Sequence, residues 1–502
     1  MTLFSTSSSS TATTPLNLSQ VARRAAARLW GFEPNRDIKP AHLANGFFRE
    51  LWKNSIPEWE LVGQVFAAHP GRNVKDPITA QHLTELPAFQ RAVHGRMPRP
   101  VVLDTWRQRI DDVLSQDGSF YKGISTLPFT HWRHLSSDWS DQGVGKLLAH
   151  LVVEEDNSGP VVALRNALCR EDDPLHRLLL PLLRTPTLEQ QKPGPLPQAT
   201  AEEQDLLARS PTLQAIVGIL RHLATAPLTG PELLSRFTTM TTLGIWLHLL
   251  NGNNPQPTPL LLCAANSTDG ARSGSQQALA RAGSRLQKCF TAALMEELSN
   301  RGMDDLSADA YAAWGQEIFE APKSPKKGQA PKPPKVDQEA KARFELDFEQ
   351  FTFSEDSLFA AACRALTPPA SERIAKKKAA STPLGSVNDL GRHLGLYWPR
   401  RQGAGARSLR PTAALYDALV PSLLEDKTPV SAREFWRLAT TKLGLISGEG
   451  GPDDLALLNR AGINGVTLAD LKRNAHDVRD ELTRLGYART YADDVTMIAT
   501  SW

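Results

Sequence analysis

A lysine- and proline-rich segment at Pro322–Ala342, reading PKSPKKGQAPKPPKVDQEAKA, does most to limit what this chain can build. Lysines alternate with prolines, and large apolar side chains are almost absent. Proline removes a backbone donor, and so little apolar surface cannot offset chain entropy. The segment reads as an extended or disordered tether, so any core must come from the sequence on either side. Thr185–Ala201 (TPTLEQQKPGPLPQATA) is a second interruption, rich in Pro and Gln, and reads as a linker or long loop. Arg373–Ala380, with Lys376, Lys377 and Lys378, is a basic spacer. A chain of 502 residues has room for roughly two to four domains.

Between these interruptions the apolar residues recur at helical spacing. Residues 1–15 are rich in Ser and Thr and read as a disordered tail. Residues 16–184 read as an N-terminal helical domain, with Val21, Ala25, Leu29 and Trp30 on one face and Phe47, Phe48, Leu51 and Trp52 on another. Asp76, Thr84 and Asp104 are candidate helix starts there. After the 185–201 linker, residues 202–321 read as a middle helical domain, with apolar helices at Leu213–Leu220, Leu243–Leu250 and Ala278–Leu298. Leu260–Ala265 is its candidate short strand. The tether is taken as 322–343. Residues 344–383 hold an aromatic-rich helical segment, with Phe348, Phe351, Phe353 and Phe359, and the basic spacer. Residues 384–502 form a C-terminal region of short helices ending in a hairpin near Asp493-Asp494. Helices followed by a terminal hairpin follow the order of a winged helix. The expected fold is therefore mainly α: a multi-domain helical body with a C-terminal winged-helix-like module.

Catalytic fingerprints are incomplete. Gly143-Val144-Gly145-Lys146 contains a GK pair, but Ser140 stands where a phosphate loop needs Gly and Leu147 where it needs a hydroxyl. It reads as a helix start after a loop. His131 and His134 are three apart without a carboxylate or cysteine at a metal-site offset, and the four cysteines form no CxxC pair. No catalytic residue, metal or cofactor is expected. Asn266–Ser275 (NSTDGARSGS) lies between the candidate strand and a helix. That layout suits an anion, with Arg272, Ser273 and Ser275 as donors. Sparse cysteines, no secretory signal and no membrane-length apolar run lead to the expectation of a cytoplasmic protein that contacts no membrane.

The most specific chemistry is LGRHLGLYWPRRQGAGARSLRP, residues 390–411. Arg392, His393, Arg400, Arg401, Arg407 and Arg410 surround Tyr397, Trp398 and a tip holding Gly403 and Gly405. Cations neutralise phosphates and flat rings stack on bases, so Arg392, Arg400, Arg401, Arg407, Arg410, Tyr397 and Trp398 are the candidate nucleic-acid contacts. The net charge is only +3, so basic character must be local.

Together with FWRLATTKLGLISGEGGPDDLALLNRAG and LGYARTYADDVTMI, this block resembles the C-terminal layout of accessory, non-motor subunits of bacterial anti-phage defence systems. The resemblance covers about a quarter of the chain. It implies winged-helix modules and a protein partner such as a motor ATPase or nuclease. The leading expectation is a non-catalytic, DNA-binding adaptor or scaffold subunit that favours double-stranded DNA. The alternatives are an enzyme with an unfamiliar phosphate- or nucleic-acid-processing site, and a purely structural interaction subunit.

Overall fold

The computed structural model describes residues 18–34, 38–53, 131–135, 140–153, 159–173, 176–177, 191–228, 230–304, 306–311, 320–321, 335–336, 338–374, 383–399, 406–424, 428–493 and 495–500. The expected N-terminal tail, the helix starts at Asp76, Thr84 and Asp104, and most of the tether and basic spacer lie outside these residues. The described chain is mostly helical, with a few strands of two or three residues. No helix among the described residues is long and apolar enough to cross a membrane. Two compact units are present, each built from separate stretches: Met1–Leu29 with Gln287–Thr382, and Trp30–Leu286 with Pro383–Trp502.

In the first unit, Arg24 of helix α1 (Leu18–Trp30) lies 3.6 Å from Glu297, and Arg28 pairs with Glu296. Tyr311 is buried within 6.3 Å, centroid to centroid, of both Phe348 and Phe359. Phe344 stacks on Phe348 at 5.9 Å. Of the expected aromatic group, Phe353 instead faces solvent. The last part of the expected tether is also not extended, because Gln338 opens a helix that runs to Thr352. From Lys335 the sequence runs KVDQEAKARFE without proline, mostly good helix formers.

The second unit is organised around one buried helix. In chain order its early helices are α2 (Pro40–Trp52), α3 (Val144–Val152), α4 (Gly159–Ala167), α5 (Ala201–Arg209), α6 (Pro211–Thr225) and α7 (Gly230–Asn251). Every residue of α7 from Met240 to Asn251 is buried, and α2, α4 and α6 pack on it. A helix apolar on all sides belongs in a core. Only Leu243–Leu250 has the apolar signature, yet α7 is longer. Thr238 and Thr242 donate their hydroxyls to the carbonyls of Leu234 and Thr238, both at 2.8 Å, so polar side chains are satisfied within the helix. His248, in the last turn, is fully buried, with Nε2 3.1 Å from the Trp30 carbonyl and Nδ1 3.4 Å from Ser210 Oγ. Burial pushes its pKa down to about 4.

Helices α2 and α3 cross closely, which explains the Gly-Val-Gly-Lys stretch. Gly143 caps α3 in the left-handed region, at φ 84°. The buried Asp141 carboxylate accepts from the Gly145 amide at 2.9 Å. A β-carbon on Gly145 would stand 2.3 Å from the Phe47 nitrogen and 2.6 Å from the Leu43 carbonyl oxygen. The glycine is required by backbone contact between helices.

After α7, strand β1 (Leu260–Leu261) pairs in parallel with a later strand, Leu445–Ile446. The candidate strand is therefore present, and shorter than the apolar run. Helix α8 (Asp269–Ser299) begins nine residues before the expected Ala278. Thr268 explains the early start: its hydroxyl accepts from the Ala271 amide at 3.2 Å. Asn474 is fully buried and satisfies both ends of its amide. Its Nδ2 donates to the carbonyls of Leu262 and Ser447, both at 2.7 Å, and its Oδ1 accepts from the Ala264 amide at 3.1 Å and from the Ser267 hydroxyl.

Gly145→Ala should cost about 1–3 kcal/mol through overpacking of the helix crossing, read as a lower urea midpoint. His248 should make stability acid-sensitive. Its folded pKa lies below the unfolded value near 6.5, so as pH falls from 6.5 to about 4 the unfolded chain binds a proton that the folded chain refuses. Stability fully present above pH 6.5 is lost across that window, by about 3 kcal/mol for this group. His248→Gln should flatten that part of the pH–stability curve.

Candidate nucleic-acid interface

The arginine- and aromatic-rich block is a two-stranded ribbon. Helix α11 (Pro383–His393) leads through Gly395, at φ 68°, into β4 (Tyr397–Trp398). The tip follows, and β5 (Ser408–Leu409) returns antiparallel, pairing Tyr397 with Leu409 and Trp398 with Ser408. Thr412 then caps helix α12 (Ala413–Leu423), accepting from the Leu415 amide at 3.3 Å. In chain order, α9 is Gln338–Thr352 and α10 is Leu358–Ile374. The ribbon is anchored to the interior. Leu409 donates its amide to Ser275 Oγ at 2.8 Å, and its carbonyl accepts from the Cys263 amide at 2.7 Å.

Strand alternation sorts the two rings. Tyr397 points inward and is only 3% exposed. Its hydroxyl accepts from Trp246 Nε1 at 3.2 Å and donates to the Val387 carbonyl at 3.2 Å. Gly391 makes room, since a β-carbon there would lie 2.4 Å from the phenol ring. Burial raises the phenol pKa despite the Trp246 bond, so the group stays protonated. Tyr397, expected to stack on a base, is a core residue that fixes the ribbon. Trp398 points outward and is 46% exposed.

Two arginines face the rings of the ribbon. The Arg410 guanidinium lies 4.9 Å from the Trp398 ring centre, and the Arg407 guanidinium 5.4 Å from that of Tyr397. Arg392 pairs with the mostly buried Asp389 at 2.7 Å. Burial lowers the His393 pKa, assisted by the charges of Arg392 and Lys39. One cavity of about 400 Å³ is lined by Trp398, Arg410, Tyr416, Glu481 and Arg484. A second, of about 420 Å³, is lined by Arg392, His393, Arg407 and Thr412. Gly395, Tyr397 and Thr412 line both. Arg400 and Arg401 lie outside the described residues. Arg484 was not legible as a site residue. It ends a helix remote in sequence, and its only local signal is a cation in a last helical turn.

The remaining helices are α13 (Ala432–Leu443), α14 (Pro452–Arg460) and α15 (Leu468–Arg484). Ser431 caps α13 by accepting from the Glu434 amide at 3.2 Å, and Gly444 ends it at φ 74°. Strand β6 (Val430–Ser431) pairs with β9 (Thr496–Ile498), which pairs with β8 (Ala488–Thr490), giving the order β6-β9-β8. Strand β7 is Leu445–Ile446; β2 (Glu320–Ala321) and β3 (Lys335–Val336) pair in the first unit. The outer side of α15 carries Lys472, Arg473, His476 and Asp480. The hairpin presents exposed Arg489 and Tyr491.

The expected anion loop has a different occupant. Arg272, Ser273 and Ser275 lie within α8 and are engaged internally. Arg272 donates to the Ser267 carbonyl at 2.9 Å and lies 3.5 Å from Asp269. Ser273 accepts from Gln277 at 3.3 Å, and Ser275 holds Leu409. The Asp470 carboxylate of α15 covers the start of α8, accepting from Thr268 Oγ1 at 2.6 Å and Thr467 Oγ1 at 2.7 Å. Those hydrogen bonds hold its pKa below the usual carboxylate range. The chain supplies its own anion to this helix N-terminus.

Among the remaining titratable groups, His150 is bracketed by Glu203 at 2.9 Å and Glu50 at 3.0 Å. Burial alone would lower its pKa, but the two carboxylates outweigh it and raise the value. Comparison with protein-family models, with curated proteins and with solved structures finds no match to this chain.

Tyr397→Phe tests the anchor. Removing the hydroxyl leaves the buried Trp246 indole N–H without this acceptor, and should cost about 1–3 kcal/mol of stability by urea unfolding.

Proposed function

We propose that this protein is a non-catalytic nucleic-acid-binding adaptor that engages double-stranded DNA through the C-terminal part of its second unit. The observation that carries the reading is the half-exposed Trp398 with Arg410 over its face, beside a cavity that also holds Arg484. Guanidinium groups held beside an exposed indole suit the phosphate backbone of a duplex. The Gly-rich tip with Arg400 and Arg401 continues this basic chemistry in sequence.

The β6-β9-β8 order supports assigning a winged-helix-like module. Helix α12, strand β6, helices α13 and α15 and the β8–β9 hairpin follow one another as helix, strand, helix, helix and wing, with α14 inserted. On this reading α15 presents Lys472, Arg473 and His476 to the duplex, and the hairpin adds Arg489 and Tyr491. The adaptor role, with a motor ATPase or nuclease as partner, rests on the layout resemblance to accessory subunits of anti-phage systems. Incomplete catalytic fingerprints favour it over the enzymatic alternative.

Fluorescence anisotropy with a labelled duplex tests the proposal. Binding should weaken steeply with salt, and Arg407→Ala/Arg410→Ala should reduce the log–log slope by about 0.9 per lost phosphate contact. Trp398→Ala should also weaken binding to the duplex, because the exposed ring holds the Arg410 guanidinium in place. Unchanged affinity and salt slope in both variants would exclude this face as the interface.

A further inference from the structure

A second constellation lies apart from the ribbon residues. His131 and His176 are both fully buried, and their rings stack at 3.7 Å with a 23° tilt. Glu171 reaches over them from a side chain that is 74% exposed. Its Oε1 stands 3.4 Å from His131 Nε2, and its Oε2 stands 3.2 Å from His176 Nε2. Ligand atoms from the three residues all lie within 4.8 Å of one another.

We propose that His131, His176 and Glu171 form a binding site for a divalent transition-metal ion of zinc type, with a further coordination position open to solvent. Two imidazoles and one carboxylate are a zinc-type donor set. Zinc sits about 2.0–2.1 Å from such donors in a tetrahedron, so neighbouring donors stand roughly 3.3 Å apart. Each nitrogen stands near that distance from a different oxygen of Glu171, so a turn of this exposed carboxylate would present one oxygen to both. An ion drawing both nitrogens together splays the rings from their stacked setting.

The scaffold holds the donors independently. His131 pairs with Cys169 in an isolated β-bridge, and the Trp132 amide donates to the Leu168 carbonyl at 2.9 Å. His176 is set by its amide, which donates to the buried Asp173 carboxylate at 2.8 Å. The site would clip residues 131–135 to the turn that follows α4. His134 is the histidine nearest to His131 in sequence. The side chain of His134 lies outside the described residues, and the donors that join His131 come from 40 and 45 positions away.

The surrounding charges set the cost. Arg133 opposes a cation, whereas Glu171 and Asp173 favour one. His131 Nδ1 accepts from the Arg133 amide at 3.2 Å, which places the ring proton on Nε2, toward Glu171. Coordination through Nε2 moves that proton to Nδ1 and gives up the amide contact.

The test uses the full chain after chelator treatment, titrated with cobalt and then zinc. Calorimetry should show one equivalent bound, and cobalt should develop the visible bands of a four-coordinate site. His176→Gln should abolish both signals. Glu171→Gln, at an exposed position that leaves the fold intact, should weaken binding at least about tenfold, because a charged donor is lost. Zinc should raise the melting temperature of the native chain and not that of His176→Gln. Failure to bind either ion, or uptake unaffected by Glu171→Gln and His176→Gln, would overturn the proposal and leave the trio as a histidine–carboxylate hydrogen-bond bracket.

Discussion

The hydrogen bond from Trp246 to Tyr397 ties the exterior chemistry of the second unit to its most buried helix. Helix α7 is enclosed on every side over its last three turns, so the indole N–H must find a partner within the protein. Tyr397 supplies an oxygen and passes its own proton to the Val387 carbonyl. The bond therefore sets which face of β4 turns inward. Alternation along the strand then sends Trp398 outward, where Arg410 covers it. The candidate interface is exposed because its neighbour in sequence is anchored.

The same unit shows how motif-like stretches serve structure. Gly145 resembles part of a phosphate loop, and backbone contact between α2 and α3 accounts for it. The Gly/Ser stretch that opens α8 resembles an anion cradle, and Asp470 and Asn474 meet its polar groups from α15. A helix N-terminus has the same preference for negative charge whether it comes from a ligand or from the chain. Local sequence states that preference; a residue about 200 positions away answers it.

Legibility followed the range of the interaction. Helices with complete local signals were readable: Ser431 with Gly444 bounds α13, and Thr467 with Asp470 forms a capping box for α15. Helix α7 exceeded its apolar run because threonine back-bonding leaves no apolar trace. Helix α8 began early because a Thr cap inside a Gly/Ser stretch looks like loop chemistry. At the candidate interface the cations and rings were visible in one block, but their assignment to core or surface was not. Arg484 could be added only when α15 was brought beside the ribbon.

The sequence by itself determined a chain that is mainly helical, interrupted by proline-rich stretches, with its most distinctive cations and rings within twenty-two residues. These are consequences of local propensity, periodicity and composition, which act over a few residues. Only the tertiary structure decided that Tyr397 is buried and Trp398 exposed, that Asp470 covers the start of α8, and that Glu171 meets two histidines. Those outcomes depend on which distant groups satisfy a buried donor or acceptor. That is settled by packing in three dimensions, where the cost of an unpaired polar group outweighs any local preference.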